Sequence, residues 1–204
     1  MGHSGQIMTV HRKVTSLCVF CGANTGTRAV YRDGAAALGR ALAANGTELV
    51  YGGGRAGMMG AVSDAAIRGG GKVTGVIPEF LVEKELAHPE ATEMIVVPDM
   101  HTRKKIMFER SEAFCVLPGG VGTLEETFEV VTWRQLHRHN KPIVLLNIDG
   151  YWSHLVGLMD RIIEEGFMHK GNNALVTVVD RPEDVIGAIE AELAAPKPPV
   201  VFKV

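Results

Sequence analysis

Short runs of apolar and β-branched residues alternate along this chain with segments of helical length, and this alternation limits the fold more than any other feature. The first two runs span 17–21 and 48–51, with an alanine-rich amphipathic segment at about 28–44 between them. The runs are apolar throughout, which is typical of strands buried on both faces. The sequence therefore predicts a doubly wound, Rossmann-like α/β fold, with a parallel sheet of about seven strands and helices on both faces. The other predicted strands span 72–77, 94–97, 113–117, 142–146 and 175–179, further helices are predicted at about 56–68, 100–112, 123–136, 151–165 and 182–193, and 79–93 is predicted to be a loop.

Length and composition indicate one globular domain. With 204 residues, 46% of them hydrophobic and 22% charged, the chain can bury a substantial core but is short for two domains. We expect a disordered segment over 1–13, a single Rossmann-like domain over 14–195 and an extended, proline-rich tail over 196–204.

Charge and cysteine usage limit the partners and the compartment. Lysine and arginine total 21 against 23 acidic residues, so no positive excess is available for nucleic acid or an anionic membrane. No run approaches the roughly 18 apolar residues that a membrane helix needs. Cys18, Cys21 and Cys115 do not suit a disulfide framework, and we expect a reducing compartment, the cytoplasm. Residues 14–23 superficially imitate a signal peptide, but they also suit the first buried strand, which we prefer.

Three glycine-rich turns follow predicted strands, at 21–26, 52–60 and 118–123. Ligands of doubly wound sheets bind beyond the carboxyl ends of the strands, and glycine amides before a helix suit an anion such as phosphate. Residues 52–57 also match the G-x-G-x-x-G dinucleotide fingerprint, with Glu79 as a candidate ribose-binding acid, which would indicate an NAD or NADP oxidoreductase. The alternative for either later loop is that its glycines only permit a tight turn.

The segment 118–126, which reads PGGVGTLEE, is the most specific of these loops. It follows a strand, supplies three glycines and leads into a helix with two consecutive carboxylates at its start. The helix dipole should keep Glu125 and Glu126 ionised near neutral pH. A competing structural explanation is a capping box, in which Thr123 is the N-cap and Glu126 reaches back to its amide.

A cation interrupts the apolar face of the helix that starts near Met100. Met100, Arg103 and Met107 are three and four residues apart and therefore share that face. An unpaired arginine in such a position would be costly, so it needs an anion, either a carboxylate of the protein or a bound phosphate.

The PGGVGTLEE segment, Gly52-Gly53-Gly54 and residues 100–104, which read MHTRK, together resemble the Lonely Guy family of cytokinin riboside 5′-monophosphate phosphoribohydrolases. The resemblance runs from about 17 to 166 and includes Trp133 and residues 149–151. This family has also been labelled lysine decarboxylase, a name that the resemblance does not support. The resemblance implies a nucleotide-binding catalytic domain that uses no cofactor. It would hydrolyse the N-glycosidic bond of a cytokinin nucleotide, or of AMP, to free base and ribose 5-phosphate.

The resemblance also assigns roles to residues at matching motif positions. It implies that Arg103 and Glu126 are the essential catalytic pair, and that the protein is a homodimer with its sites near the subunit interface. No histidine or cysteine spacing indicates a metal site. The positions implied to contact the substrate are Gly53, Gly54, Glu85, Lys104, Gly119, Gly120, Val121, Gly122, Thr123, Leu124, Glu125 and Thr132.

The chemistry of N-glycoside cleavage suits these residue types. A carboxylate such as Glu126 can stabilise the positive charge that develops on the ribose ring and orient water. The phosphate would lie on the amides of the 118–123 loop, and Arg103 would bridge it to Glu126 without losing its own proton. The acid that protonates the departing base is left open between Glu85, Glu79 and water. A module that binds or senses a nucleotide without cleaving it remains the alternative.

Overall fold

The computed structural model of the protein describes residues 12–85, 87–168 and 175–195. The predicted tail at 196–204 and most of the predicted disordered segment at 1–13 therefore lie outside the described residues. The strands are β1 (Ser16–Phe20), β2 (Glu48–Tyr51), β3 (Val73–Pro78), β4 (Glu93–Val97), β5 (Ala113–Val116), β6 (Ile143–Leu146) and β7 (Thr177–Val179). The α-helices are α1 (Ala29–Asn45), α2 (Gly57–Arg68), α3 (Glu79–Glu85), α4 (Met100–Arg110), α5 (Val121–Gln135), α6 (Ser153–Glu164) and α7 (Asp184–Ala194).

All seven strands form one parallel sheet in the order β4-β3-β2-β1-β5-β6-β7. The predicted doubly wound, Rossmann-like α/β fold is confirmed. The chain starts in the middle of the sheet, runs to one edge through β4, and then returns to place β5 beside β1. Strand order therefore reverses between β1 and β5, which opens a crevice at their carboxyl ends.

Two core clusters, one on each face of the sheet, follow from the two-residue period of the strands. Leu17 and Val19 of β1 pack with α1, α2 and α7, whereas Cys18 and Phe20 pack on the opposite face with residues of α4 and α5. Both faces of this strand are buried, which explains why its sequence is apolar throughout.

Two differences from the sequence prediction concern segments that contribute to the pocket described below. The stretch after Pro78 was expected to be a loop, but residues Glu79–Glu85 form α3. Helix α5 begins at Val121, two residues before the predicted start, with Gly120 as its N-cap. Helix α3 is too short to show a hydrophobic period, and Gly120 and Gly122 weaken the helical signal at the start of α5.

Cys18 and Cys115 lie in the core, and all three cysteines are free thiols. Burial raises the pKa of both core thiols, and for Cys18 the nearby Glu126 carboxylate adds to this effect. Core thiols of this kind are unreactive at neutral pH. Within the part of the chain that the structure describes, no helix is both long and apolar enough to cross a membrane.

Candidate functional site

A pocket of about 730 Å³ lies at the crevice between the carboxyl ends of β1 and β5. Its size is typical of a site for a small organic ligand. One wall is the loop that follows β1, and the facing wall is the glycine loop that follows β5. The side chains of α1, α2, α3 and α4 close the remaining sides. The lining residues are 21–28, Tyr31, Met58, Met59, Leu81, Met100, Arg103, 118–120, Gly122, Thr123, Glu125, Glu126 and Tyr151.

The glycine loop after β5 turns its amides outward at the start of α5. The first hydrogen bond within the helix runs from the Leu124 N–H to the Gly120 carbonyl at 3.1 Å. The N–H groups of Val121, Gly122 and Thr123 therefore have no acceptor inside the helix, and they coincide with the positive end of its dipole. Such a helix start suits an anion, and phosphate above all.

The first glycine of this loop is needed for close packing. A Cβ atom on Gly119 would lie 2.2 Å from the Thr123 hydroxyl oxygen and 2.8 Å from the Gly22 nitrogen. The Gly22 N–H also donates to the Pro118 carbonyl at 3.1 Å, so the loops after β1 and β5 are joined directly. Any side chain at Gly119 would force these two loops apart.

The capping box considered for this helix does not form. Thr123 is the third residue of α5, and the N-cap, Gly120, has no side chain to cap with. Glu125 and Glu126 consequently lie in the second turn, not in the first turn where the sequence placed them. The Glu126 side chain lines the pocket beside Glu125. The spacing of Thr123 and Glu126 matches a capping box, but the helix begins at Val121, so both residues lie inside it.

Arg103 is buried, as the helix periodicity predicted, with 5% of its surface exposed. Its Nε donates to the Val76 carbonyl at 3.1 Å and its Nη2 donates to the Gly52 carbonyl at 2.9 Å. Asp99 fixes the start of α4 by accepting the Thr102 N–H at 2.8 Å, which places Arg103 one turn inside the helix. The guanidinium therefore has a fixed position in the wall of the pocket that Glu126 also lines.

The three glycines directly after β2, Gly52, Gly53 and Gly54, lie beside Arg103 or behind it and do not line the pocket. A Cβ atom on Gly52 would lie 2.0 Å from Nη2 of Arg103. Gly53 has a φ of +81° and its carbonyl accepts the His88 N–H at 3.0 Å, while Gly54 pairs with Ala87 in an isolated bridge. Gly53 and Gly54, which the resemblance implied to contact substrate, are not on the pocket wall. The guanidinium occupies the space in which a dinucleotide would approach Gly52, so this geometry does not favour the oxidoreductase alternative.

Lys104, which was expected to contact substrate, does not line the pocket but pairs with Glu125, which does. Its Nζ lies 2.5 Å from a carboxylate oxygen of Glu125 and 3.2 Å from one of Glu129, so it joins α4 to α5. Burial lowers the pKa of Lys104, but the hydrogen bonds to both carboxylates outweigh this effect and the net shift is upward.

Three other predicted contact positions also lie outside the pocket wall. Val121 is 83% exposed, Leu124 is partly buried against the core, and Thr132 is exposed nearly two turns beyond Glu126. Glu85 is the last residue of α3, and its side chain lies outside the described part of the structure.

Sequence reasoning missed Tyr151 and gave no role to Arg28, Tyr31 or the methionines of α2. The Tyr151 hydroxyl donates to the Gly119 carbonyl at 2.6 Å, and Arg28 pairs with Asp149. A signal was present, because residues 149–151 follow the strand next to β5 and thus end at the same edge of the sheet. In the described ranges, no group of three or more histidine, cysteine, aspartate or glutamate residues is placed to hold a metal ion.

Known proteins resemble this chain over most of its length. Residues 59–189 match the model of the family described as "Possible lysine decarboxylase". The chain is 43% identical over 183 residues to the probable cytokinin riboside 5′-monophosphate phosphoribohydrolase LOGL2 of Oryza sativa subsp. japonica, covering 90% of this chain and 75% of that protein. It is 41% identical over 183 residues to the cytokinin riboside 5′-monophosphate phosphoribohydrolase LOG1 of Arabidopsis thaliana, covering 90% and 86% respectively.

Solved structures share the fold at lower sequence identity. The molybdenum cofactor carrier protein of Chlamydomonas reinhardtii superimposes with a TM-score of 0.69 at 23% identity, covering 90% of this chain and all of that one. The molybdenum cofactor binding protein of Rippkaea orientalis gives a TM-score of 0.66 at 23% identity, covering 89% and 98%. At this level of identity, the likeness shows the fold alone.

Proposed function

The chain belongs to the family described as possible lysine decarboxylase. Its similar relatives are named cytokinin riboside 5′-monophosphate phosphoribohydrolases, and we propose that this chain is also such an enzyme. It hydrolyses the N-glycosidic bond of a cytokinin riboside 5′-monophosphate, and of AMP, to free base and ribose 5-phosphate. The observation that carries the proposal is one pocket lined by the α5 glycine loop, the Glu126 carboxylate and the Arg103 guanidinium.

The loop after β5 supplies the phosphate site in this proposal. The outward amides of Val121, Gly122 and Thr123 and the α5 dipole attract a dianionic 5′-phosphate. Binding of this group, which takes no part in the reaction, holds the ribose in register with the catalytic carboxylate. The binding requires no metal ion or organic cofactor.

Glu126 acts on the ribose and not on the base. As the bond from C1′ to the base nitrogen breaks, positive charge develops on the ribose ring, and the carboxylate stabilises it and orients water toward C1′. Water supplies the hydroxyl group at C1′, and the base departs with a proton. Arg103, held on the carbonyls of Val76 and Gly52, keeps its proton and acts as a fixed positive charge between phosphate and carboxylate.

A homodimer is part of the proposal, and one face of α5 supports it. Val121 and Leu136 are 83% and 62% exposed, Phe128 is also exposed, and all three share that face with Thr132. Thr132 lies about 9 Å along the helix from Glu126 and on a different side of it. It can therefore contact substrate only in the site of a second copy packed on this face. Sedimentation of the purified protein should give twice the chain mass, and Phe128→Asp should give single chains.

We also place the enzyme in the cytoplasm, because three free thiols suit a reducing compartment.

A product assay tests the central proposal. The purified protein is incubated with AMP and separately with isopentenyladenosine 5′-monophosphate, and free base and ribose 5-phosphate are measured by chromatography. We expect equal amounts of the two products. Glu126→Gln should lower kcat about a hundredfold or more, because the neutral amide cannot stabilise the developing charge. Binding of ribose 5-phosphate should survive this substitution.

Glu129→Gln is the matched control. This residue lies on the same helix, but its carboxylate pairs with Lys104 and does not line the pocket. Its kcat should stay close to that of the wild type, because the carboxylate lies outside the pocket and contacts Lys104. Nucleotide that stays bound and intact after long incubation would instead identify a sensing module, and failure to release base from any purine monophosphate would overturn the enzyme assignment.

A further inference from the structure

The turn that follows β6 adopts a backbone conformation that side chains rarely tolerate. Asp149 has a φ of +52° and the next residue, Gly150, has a φ of +74°. A left-handed conformation is ordinary for glycine but unfavourable for aspartate, and such strain persists only where the surroundings hold it. The surroundings here include Arg28, whose guanidinium forms an ion pair with the Asp149 carboxylate.

This turn presents Tyr151 to the glycine loop. The phenol O–H donates to the Gly119 carbonyl at 2.6 Å. The Tyr151 ring meets the ring of Tyr31 at 5.4 Å and that of Trp152 at 4.7 Å, both edge to face. Trp152 is buried in the core, so the Tyr151 ring is held by contacts with both Trp152 and Tyr31.

Gly120, the residue before α5, needs such external support, because no packing contact restrains its conformation. Nothing lies within 4 Å of the positions that Cβ atoms on Gly120 and Gly122 would occupy. Glycine peptides in open space can rotate at little cost. An anion site made of amides works only if those amides already point at the anion.

Two hydrogen bonds from other segments fix two successive peptides of the loop. Gly22 donates to the Pro118 carbonyl at 3.1 Å, and Tyr151 donates to the Gly119 carbonyl. In a planar trans peptide, the N–H points opposite to the carbonyl. Holding these carbonyls therefore directs the N–H groups of Gly119 and Gly120 away from the two donors. The Tyr151 hydroxyl thus controls the peptide that leads directly into the free amides of α5.

We propose that Tyr151 is a positioning residue that holds the Gly119–Gly120 peptide in the orientation needed to bind a sugar phosphate monoester. The class of ligand rests on the proposed function. The strain at Asp149 and its ion pair with Arg28 serve to place the phenol.

Tyr151→Phe tests this inference, because it removes the hydroxyl and keeps the ring. NMR titrations give the Kd of ribose 5-phosphate, which reports on the phosphate end of the pocket, and the Kd of adenine, which reports on the base end. The loss of one hydrogen bond should weaken ribose 5-phosphate binding about three- to tenfold. Adenine binding should be unchanged, and the amide resonances of Gly119 and Gly120 should shift and exchange faster with solvent.

Tyr51→Phe is the matched control. It removes another of the three tyrosine hydroxyls, but Tyr51 is fully buried in β2 and does not line the pocket. Its ribose 5-phosphate affinity should equal that of the wild type. Thermal denaturation of both variants separates a local effect from a loss of fold.

The outcomes separate this inference from the proposed function. An unchanged ribose 5-phosphate affinity in Tyr151→Phe, or an equal loss of affinity for adenine, would overturn the positioning role. A wild-type protein that binds ribose 5-phosphate but cleaves no nucleotide would contradict the proposed function, and the Tyr151 effect on ribose 5-phosphate would still be measurable and would support the inference.

Discussion

The glycine loops after β2 and β5 are similar in sequence but have different structural roles. In the first, a Cβ atom on Gly52 would lie 2.0 Å from the Arg103 guanidinium, so glycine is required because another group fills the space. In the second, Gly120 and Gly122 have nothing within 4 Å of the Cβ position and lie at the start of a helix, with the pocket before them. The first loop contacts Arg103 on the side away from the pocket, whereas the amides of the second loop lie at the pocket itself.

The difference shows that a glycine motif indicates that another group lies close to the backbone, but not whether that group is a side chain or a ligand. A side chain of the same protein and a substrate phosphate make the same demand on the backbone. Substitutions in the two loops should consequently fail in different ways, and the following experiments use that difference, beginning with the largest expected effect.

Arg103→Lys should cause the largest loss of activity, because it removes the guanidinium that the first loop holds. A lysine ammonium cannot reproduce the planar fork that donates to the carbonyls of Val76 and Gly52. We expect kcat/KM for AMP to fall about a hundred- to a thousandfold, as for other fixed charges at a reaction centre. Lys105→Arg, at an exposed position on the same helix, is the control in the same steady-state assay. Activity within threefold of wild type for Arg103→Lys would contradict the role of the fork.

Gly52→Ala should damage both catalysis and stability. The added methyl group collides with Nη2 of Arg103 and lies 2.9 Å from the Met59 sulfur, so the guanidinium must move. Displacement of a positioned group by about 1 Å can cost a hundredfold in rate, and overpacking typically costs about 1–3 kcal/mol of stability. Urea unfolding and AMP hydrolysis measure the two effects. Full stability with wild-type activity would show that the space above Gly52 is not filled by the arginine.

Gly120→Ala sharpens the comparison from the second loop. The φ of Gly120 is −98°, which alanine adopts freely, and the new methyl group meets no atom of the protein within 4 Å. Stability should fall by less than about 1 kcal/mol, the usual cost of a poorer N-cap. The KM for AMP should nevertheless rise several-fold, because the methyl group projects beside the free amides. A large loss of stability with an unchanged KM would reverse the roles assigned to the two loops.

Lys104→Gln should have the smallest effect. It should lower the free energy of unfolding, and the size of this loss should depend on pH. Its ion pairs raise the pKa of Lys104 above its ordinary value, so the charge stabilises the folded state below that value, and the contribution is lost as pH rises through the folded pKa. Lys104 is largely buried but Glu125 is half-exposed, so solvent screens the pairs in part, and we expect up to about 1 kcal/mol at pH 7. Urea unfolding should show the variant and the wild type converging at alkaline pH. A difference that grows with pH would have the wrong sign.

The sequence predicted the fold better than it predicted the site. Within the described residues, all seven strands and six of the seven α-helices were found, because strand burial and helix amphipathicity are local patterns. Helix α3 was missed because seven residues are too few to show a period. Arg103 was correctly expected on a buried face, since the spacing of Met100 and Met107 determines that face.

The predicted positions Gly53, Gly54 and Lys104 illustrate the limit, since none of the three lines the pocket. Each belongs to a motif that the resemblance assigns to the site, but which residues line a pocket depends on how elements distant in the chain pack together. Lys104 pairs with the carboxylates of Glu125 and Glu129 on α5, which are 21 and 25 residues away in the chain. Tyr151 was missed for the same reason, because its hydroxyl acts on a peptide 32 residues earlier.

The sequence alone determined that this chain forms a parallel sheet covered by helices, and it located the turns where glycine is required. These properties depend on residues close together in the chain, whose hydrophobic period and backbone freedom are local. Only the tertiary structure decided that β5 lies beside β1, so that the Gly22 amide meets the Pro118 carbonyl and the two loops enclose one pocket. Strand order is decided by packing between segments nearly a hundred residues apart, and no local pattern records which of several apolar strands becomes the neighbour.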